Sequence, residues 1–169
     1  MKPPLLPSER LRRVLRVARL DGASILGVAG AFALVSAAFR DVTGAVIGLL
    51  VAAAGAIELH GASLLRASDV KGGRWLLGSQ LYLMAVILAY CAFRLARPDL
   101  AAWRAVVTED LAEQIRQANL TVDQVLLQIQ RLVYFGVAAA TLLYQGGMSL
   151  YYLRHRAAVA AALQEDETF

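Results

Sequence analysis

The chain has 169 residues, of which 59% are hydrophobic and 18% are charged, and its mean hydropathy is +0.55. Water-soluble domains have fewer apolar and more charged residues, so this composition indicates a membrane protein. The single cysteine, Cys91, excludes an intramolecular disulfide. The net charge of +4 comes from basic residues gathered at the ends of apolar segments. We therefore interpret it as a membrane-orientation signal and predict no binding of nucleic acid.

Four apolar segments are each long enough to cross the hydrocarbon core, which takes about 18 residues or more of α-helix. They cover residues 22–39, 42–65, 75–95 and 132–153, and Asp21 bounds the first of them. Because an unpaired backbone is not tolerated against lipid, all four should be helices. The predicted fold is all-α, a polytopic four-helix membrane bundle with an outer-side helical hairpin between spans three and four.

An even number of spans places both termini on one side of the membrane. That side carries more Lys and Arg than the other, which predicts cytoplasmic termini in a bacterial inner membrane. The chain then divides into a basic segment, a first transmembrane hairpin, a cytoplasmic loop with the third span, an outer hairpin, the fourth span and a cytoplasmic tail. These segments are residues 1–20, 21–66, 67–97, 98–130, 131–156 and 157–169.

Residues 8–20 have the pattern of a basic amphipathic helix. Its apolar face is formed by Leu11, Val14, Leu15 and Ala18. Its lipid-facing basic residues are Arg12, Arg13, Arg16 and Arg19. Such a helix would lie on the inner leaflet with its arginines toward anionic headgroups. The alternative is a solvated helix start that carries the positive-inside charge and nothing more.

The connection between spans three and four predicts the outer-side hairpin. Pro98 suits the first turn of a helix whose apolar stripe continues to Ala118. A second helix starts at Thr121, which forms a capping box with Gln124, and continues to Arg154 or beyond. The apolar stripes of the two hairpin helices must be buried, either against each other or against a neighbouring subunit.

Small residues recur every three or four positions on one face of the second span. They are Gly44, Gly48, Ala52 and Gly55. This spacing lets two helix backbones approach closely, either within the bundle or between protomers. The first two spans are expected to form a tight hairpin that is joined by only Arg40, Asp41 or a few more residues.

Polar side chains of three spans are predicted to lie at one depth, in the inner half of the bilayer. This polar layer comprises Glu58, His60, Ser79, Gln80, Tyr82, Tyr144 and Gln145. An ionisable group at this depth is costly and usually functional. Glu58 and His60 point about 200° apart on a helix, so they cannot both line one cavity.

The chain has no zinc-ligand spacing, phosphate-binding loop or dinucleotide fingerprint, and we predict no catalytic residue, metal or cofactor. The leading hypothesis is a small homo-oligomeric channel or transporter in which Glu58 binds a cation or carries a proton. In two structural alternatives, Glu58 and His60 only help to fix helix register, or Glu58 is hydrated near the headgroups. The competing function is a non-catalytic scaffold or accessory subunit that binds partners through the outer hairpin. An enzyme acting on lipid ranks third.

Overall fold

The computed structural model describes residues 7–166, of which 87% are helical, with no strand in this range. The helices are α1 (Pro7–Ala38), α2 (Val42–Arg66), α3 (Gly72–Ala96), α4 (Ala101–Arg104), α5 (Glu109–Gln117) and α6 (Val122–Asp166). α1, α2, α3 and α6 are long and apolar enough to span a membrane, which confirms the four predicted apolar segments as helices. The start of the predicted N-terminal segment, residues 1–6, and the end of the predicted tail, residues 167–169, lie outside the described range.

The chain divides into two compact units. The first contains the residues up to Val86 together with those from Leu142 onward, so it holds α1, α2, most of α3 and the second half of α6. The second unit is Ile87–Thr141, with the end of α3, the short helices α4 and α5, and the start of α6.

α1 and α2 form the predicted tight hairpin. Arg40 reverses the chain in a left-handed conformation (φ 58), and Asp41 caps α2 by accepting a hydrogen bond from the Gly44 amide at 2.9 Å. The small-residue stripe of α2 packs against α1 of the same chain. A Cβ added at Gly48 would lie 2.8 Å from the Cβ of Ala33, so the two helices are close to backbone contact there.

The basic N-terminal segment is part of α1 and not a separate helix. No proline interrupts the chain between Ser8 and Ala38, and α1 continues without a break into the first span. Val14 and Ala18 are buried in a core with Leu65, Leu76 and other side chains of the first unit. Protein therefore covers this apolar face, and the location of the segment on the inner leaflet stays a prediction. Contact of its arginines with headgroups stays a prediction.

The predicted first helix of the outer hairpin is broken in the structure. A single turn, α4, ends at Arg104, and α5 begins only at Glu109. The β-branched run from Val106 to Thr108 disfavours helix, and Thr108 instead caps α5 by accepting a hydrogen bond from the Leu111 amide at 3.4 Å. The predicted apolar stripe from Leu100 to Ala118 is consequently not the face of one helix.

The second helix of the hairpin starts as predicted. The Thr121 amide donates to Gln124 Oε1 at 3.0 Å, and the Gln124 amide donates to Thr121 Oγ1 at 3.3 Å. This reciprocal pair is the capping box. α6 is 45 residues long and continues past Arg154 to Asp166. The expected extension of this helix beyond Arg154 is therefore confirmed.

Candidate functional site

Two carboxylates from different helices share one amide group in the first unit. Gln80 of α3 donates from Nε2 to Glu58 Oε2 of α2 at 2.9 Å and to Asp21 Oδ2 of α1 at 3.1 Å. Glu58 and Gln80 are each 1% exposed, and Asp21 is half-buried. Both hydrogens of the amide are thus used to hold two acids together.

Each carboxylate also accepts a hydrogen bond from a tyrosine of α6. The Tyr152 hydroxyl donates to Glu58 Oε1 at 2.5 Å, and the Tyr144 hydroxyl donates to Asp21 Oδ1 at 2.8 Å. We refer to the five residues Asp21, Glu58, Gln80, Tyr144 and Tyr152 as the carboxylate cluster. All four long helices contribute to it.

Glycines set the distance between the two acids. Gly22, next to Asp21, faces α2 so closely that an added Cβ would lie 3.1 Å from the Gly55 carbonyl oxygen and 3.3 Å from the Glu58 Cβ. Larger side chains at Gly22 and Gly55 would separate α1 from α2. The two carboxylates could not then reach the same amide group.

The cluster contains no positive charge. Among the described residues, the ion pairs are Arg104 with Asp123 and Arg116 with Glu113, all in the second unit. Among the described residues, neither Asp21 nor Glu58 forms an ion pair with a Lys, Arg or His side chain. A buried charge is costly unless it is compensated, so a proton or a cation would stabilise this pair of acids.

Additional oxygens in the first unit are buried without a donor. Gln80 Oε1 has no hydrogen-bond partner among the described residues, and neither does Gln145 Oε1 or Ser149 Oγ of α6. Buried polar atoms normally have a hydrogen-bond partner, so these three oxygens can still accept a hydrogen bond or bind a cation. Carboxylate, amide and hydroxyl oxygens are the ligands preferred by hard cations such as Ca²⁺ and Mg²⁺. The donor chemistry therefore fits a cation or hydrated proton.

The structure separates the two ionisable residues of the predicted polar layer. Glu58 lies in the cluster, whereas His60 is exposed and its ring packs edge-on against Trp75, with 5.2 Å between ring centroids. Gln80 and Tyr144 of the predicted layer also lie in the cluster.

Among the described residues, no hydrogen bond joins the other predicted layer residues to the cluster acids. Ser79 is buried and donates back to the Leu76 carbonyl oxygen at 2.8 Å, a bond within its own helix. Tyr82 is half-buried, and Gln145 is 5% exposed. Ser79 is thus satisfied within its own helix, whereas the amide oxygen of Gln145 has no hydrogen-bond partner among the described residues.

Asp21 and Tyr152 were not assigned to the polar layer from sequence. The change in hydropathy at Asp21 marks this residue as the polar end of a span. A signal was present: the positions three and four residues away, including Val17 and Ile25, carry no basic side chain that could pair with Asp21 along its own helix. Tyr152 lies two turns after Tyr144 and therefore on much the same face of α6.

Within the described residues, no group of three or more His, Cys, Asp or Glu side chains is arranged to hold a metal ion. The cluster provides two acids, one amide and two phenols, and no set of the kind that binds zinc. Comparison of the chain with protein families, curated proteins and solved structures found no match.

Proposed function

We propose that this protein is a small integral membrane channel or transporter whose carboxylate cluster takes up a proton or a hard cation. The observation that carries the proposal is the sharing of the Gln80 amide by Asp21 and Glu58, with no basic partner in the described chain. Membrane-embedded acids commonly belong to ion pathways or proton relays.

A purely structural role accounts poorly for the second acid. Interhelical hydrogen bonds in membranes contribute on average only about 0.6 kcal/mol each. Neutral side chains would supply such bonds without a pair of like charges. Two acids held by one amide are instead suited to exchanging a proton or cation, because binding or release of that ion changes the net charge of the pair.

The cluster extends from the protein interior to its surface, which suggests how an ion would enter. Glu58 is 1% exposed, whereas Tyr144, which donates to Asp21, is 54% exposed. Asp21 therefore lies between the buried acid and the surface of this chain. In the proposed homo-oligomer, this exposed end faces a neighbouring protomer, and ions pass along that boundary.

Flux measurements test the proposal. The purified protein is reconstituted into liposomes, and proton and Na⁺ entry are followed with fluorescent indicators under an imposed gradient. We expect Glu58→Gln and Asp21→Asn to reduce flux by about tenfold or more while the proteins stay folded, since about 1.4 kcal/mol corresponds to tenfold. Glu109→Gln and Asp110→Asn are the matched controls, because both acids are exposed on α5. Equal flux in all four variants and the wild type, or no flux in the wild type, would contradict the proposal.

The runner-up function, a scaffold or accessory subunit, is supported by a different observation. α5 is amphipathic but has no buried residue, and Leu111 on its apolar face is 45% exposed. Such a face is compatible with a partner surface. The mass of the complex in detergent separates the two functions. A closed ring of identical protomers supports the channel, whereas a monomer or a single copy bound to another protein supports the accessory subunit.

The proposed topology has both termini in the cytoplasm of a bacterial inner membrane. A membrane-impermeant maleimide tests it in a Cys91→Ala background. Asp110→Cys should react in intact spheroplasts, and Ser8→Cys should react only after permeabilisation. Both positions are exposed in the structure. The reverse pattern would show the opposite orientation.

A further inference from the structure

A cavity of about 420 Å³ lies in the first unit, beside the start of α3. Its walls are largely apolar and include Val14, Leu65, Leu76 and Val159. Its basic residues are Lys71, Arg74, His155 and Arg156. We call this space the basic cavity. Its volume is within the range of pockets that bind small molecules, about 300–1,000 Å³.

The positive charge of the basic cavity is not compensated by lining residues. No Asp or Glu lines it, and Lys71, Arg74 and Arg156 form no ion pair with any acid of the described chain. Asp69 is close in sequence, but it does not line the cavity, and its carboxylate accepts a hydrogen bond from the Lys71 amide at 2.8 Å. The ring of Tyr152 lines the wall while its hydroxyl is held by Glu58.

We propose that the basic cavity binds an anionic phospholipid. Its phosphate lies among Lys71, Arg74 and Arg156, and part of an acyl chain follows the apolar wall. Lysine and arginine are the usual partners of phosphate, and apolar walls match hydrocarbon. The proposal does not depend on the transport function of the carboxylate cluster.

The position of the cavity along the helices favours a membrane lipid over a soluble anion. Arg74 comes directly before the apolar part of α3, and Arg156 follows the apolar part of α6 by three residues. Basic residues at the ends of spans lie at headgroup depth, where anionic lipids are concentrated. None of the exposed arginines of α1 lines this cavity.

Native mass spectrometry of the full-length protein, titrated with phosphatidylglycerol and with phosphatidylcholine, tests this site. One variant removes charge, Lys71→Gln with Arg74→Gln and Arg156→Gln. The second variant, Gly73→Leu, adds a side chain at the wall of the cavity, at a position where an added Cβ meets open space. We expect phosphatidylglycerol to bind about tenfold more weakly to each variant, which is about 1.4 kcal/mol.

Two matched controls separate specific binding from general attraction. Arg40→Gln with Arg97→Gln and Arg131→Gln removes the same charge at three exposed positions that do not line the cavity. Gly78→Leu adds the same side chain to α3 at a position that also has open space and does not line the cavity. Both should bind phosphatidylglycerol within about threefold of the wild type, below ~1 kcal/mol.

Three outcomes would overturn the proposal. The first is an equal loss of phosphatidylglycerol binding in the two charge variants, which would show general electrostatic attraction. The second is equal affinity of the wild type for phosphatidylcholine and phosphatidylglycerol. The third is displacement of phosphatidylglycerol by millimolar inorganic phosphate, which would show a site for a soluble anion. The proposal is supported if the wild type prefers phosphatidylglycerol to phosphatidylcholine and if, of the two glycine variants, only Gly73→Leu loses phosphatidylglycerol binding.

Discussion

Gly22 and Gly55 bring the backbones of α1 and α2 into direct contact. A Cβ added at Gly55 would lie 2.6 Å from the carbonyl oxygen of Gly22 and 2.6 Å from the amide nitrogen of Leu26. Neither neighbour can move without moving the helix. Since Asp21 and Glu58 lie next to this contact, the glycine pair controls the distance between the two acids.

The first prediction concerns that contact. Gly55→Ala should lower the free energy of unfolding by about 1–3 kcal/mol, because the added methyl group forces α1 and α2 apart. The control is Gly27→Ala on α1, where an added Cβ meets nothing within 4 Å. That change should be neutral or should stabilise the helix by up to about 1 kcal/mol. Unfolding in mixed micelles measures both, and equal effects would show that the close contact is absent.

The second prediction compares the two tyrosines of the cluster. Tyr152→Phe should destabilise the protein by about 1.5–3 kcal/mol, because it removes a hydrogen bond to the buried Glu58 carboxylate. Tyr144→Phe should cost less than about 1 kcal/mol, since Tyr144 is exposed and its partner Asp21 is only half-buried. Unfolding of both variants under identical conditions tests this order. A larger loss for Tyr144→Phe would indicate that its hydroxyl is buried in the assembled protein.

The third prediction is an energetic coupling between Gln80 and Glu58. In a double-mutant cycle of Gln80→Leu and Glu58→Leu, the interaction energy should be about 1–3 kcal/mol, because each single variant leaves a buried partner unsatisfied. A parallel cycle of Gln80→Leu with Tyr82→Phe should give less than about 0.5 kcal/mol, since residues two positions apart on α3 point to different sides of the helix. Equal coupling in the two cycles would mean that the amide does not bridge the acids.

The fourth prediction concerns the start of α6. Thr121→Ala should destabilise the first turn by about 0.5–2 kcal/mol, because it removes one bond of the capping box. Hydrogen exchange of the backbone amides at the start of α6 should become faster, while exchange in α2 stays unchanged. Thr108→Ala is the comparison: it removes the cap of α5 and should leave exchange at the start of α6 unchanged. Unchanged exchange in Thr121→Ala would show that the cap is not formed in the membrane-bound protein.

The apolar spans were predictable because each of them is a local property of the sequence. Twenty or so consecutive apolar residues predict a helix wherever they occur, and α2 begins and ends within a residue of its predicted limits. The capping box at Thr121 and the short link at Arg40 and Asp41 are local as well. The break before α5 was missed because the apolar periodicity continues across Val107, whereas the β-branched run and the Thr108 cap favour a new helix start.

The sequence by itself determined the four apolar helices, their short first connection and the presence of an ionisable group in the second span. Only the tertiary structure decided that Asp21 shares an amide with Glu58, and that the apolar face of residues 8–20 packs on protein. The reason is that spans are set by hydrophobicity along the chain. Contacts between helices depend instead on how each one is rotated and how closely it approaches its neighbour, and here Gly22 and Gly55 set that approach.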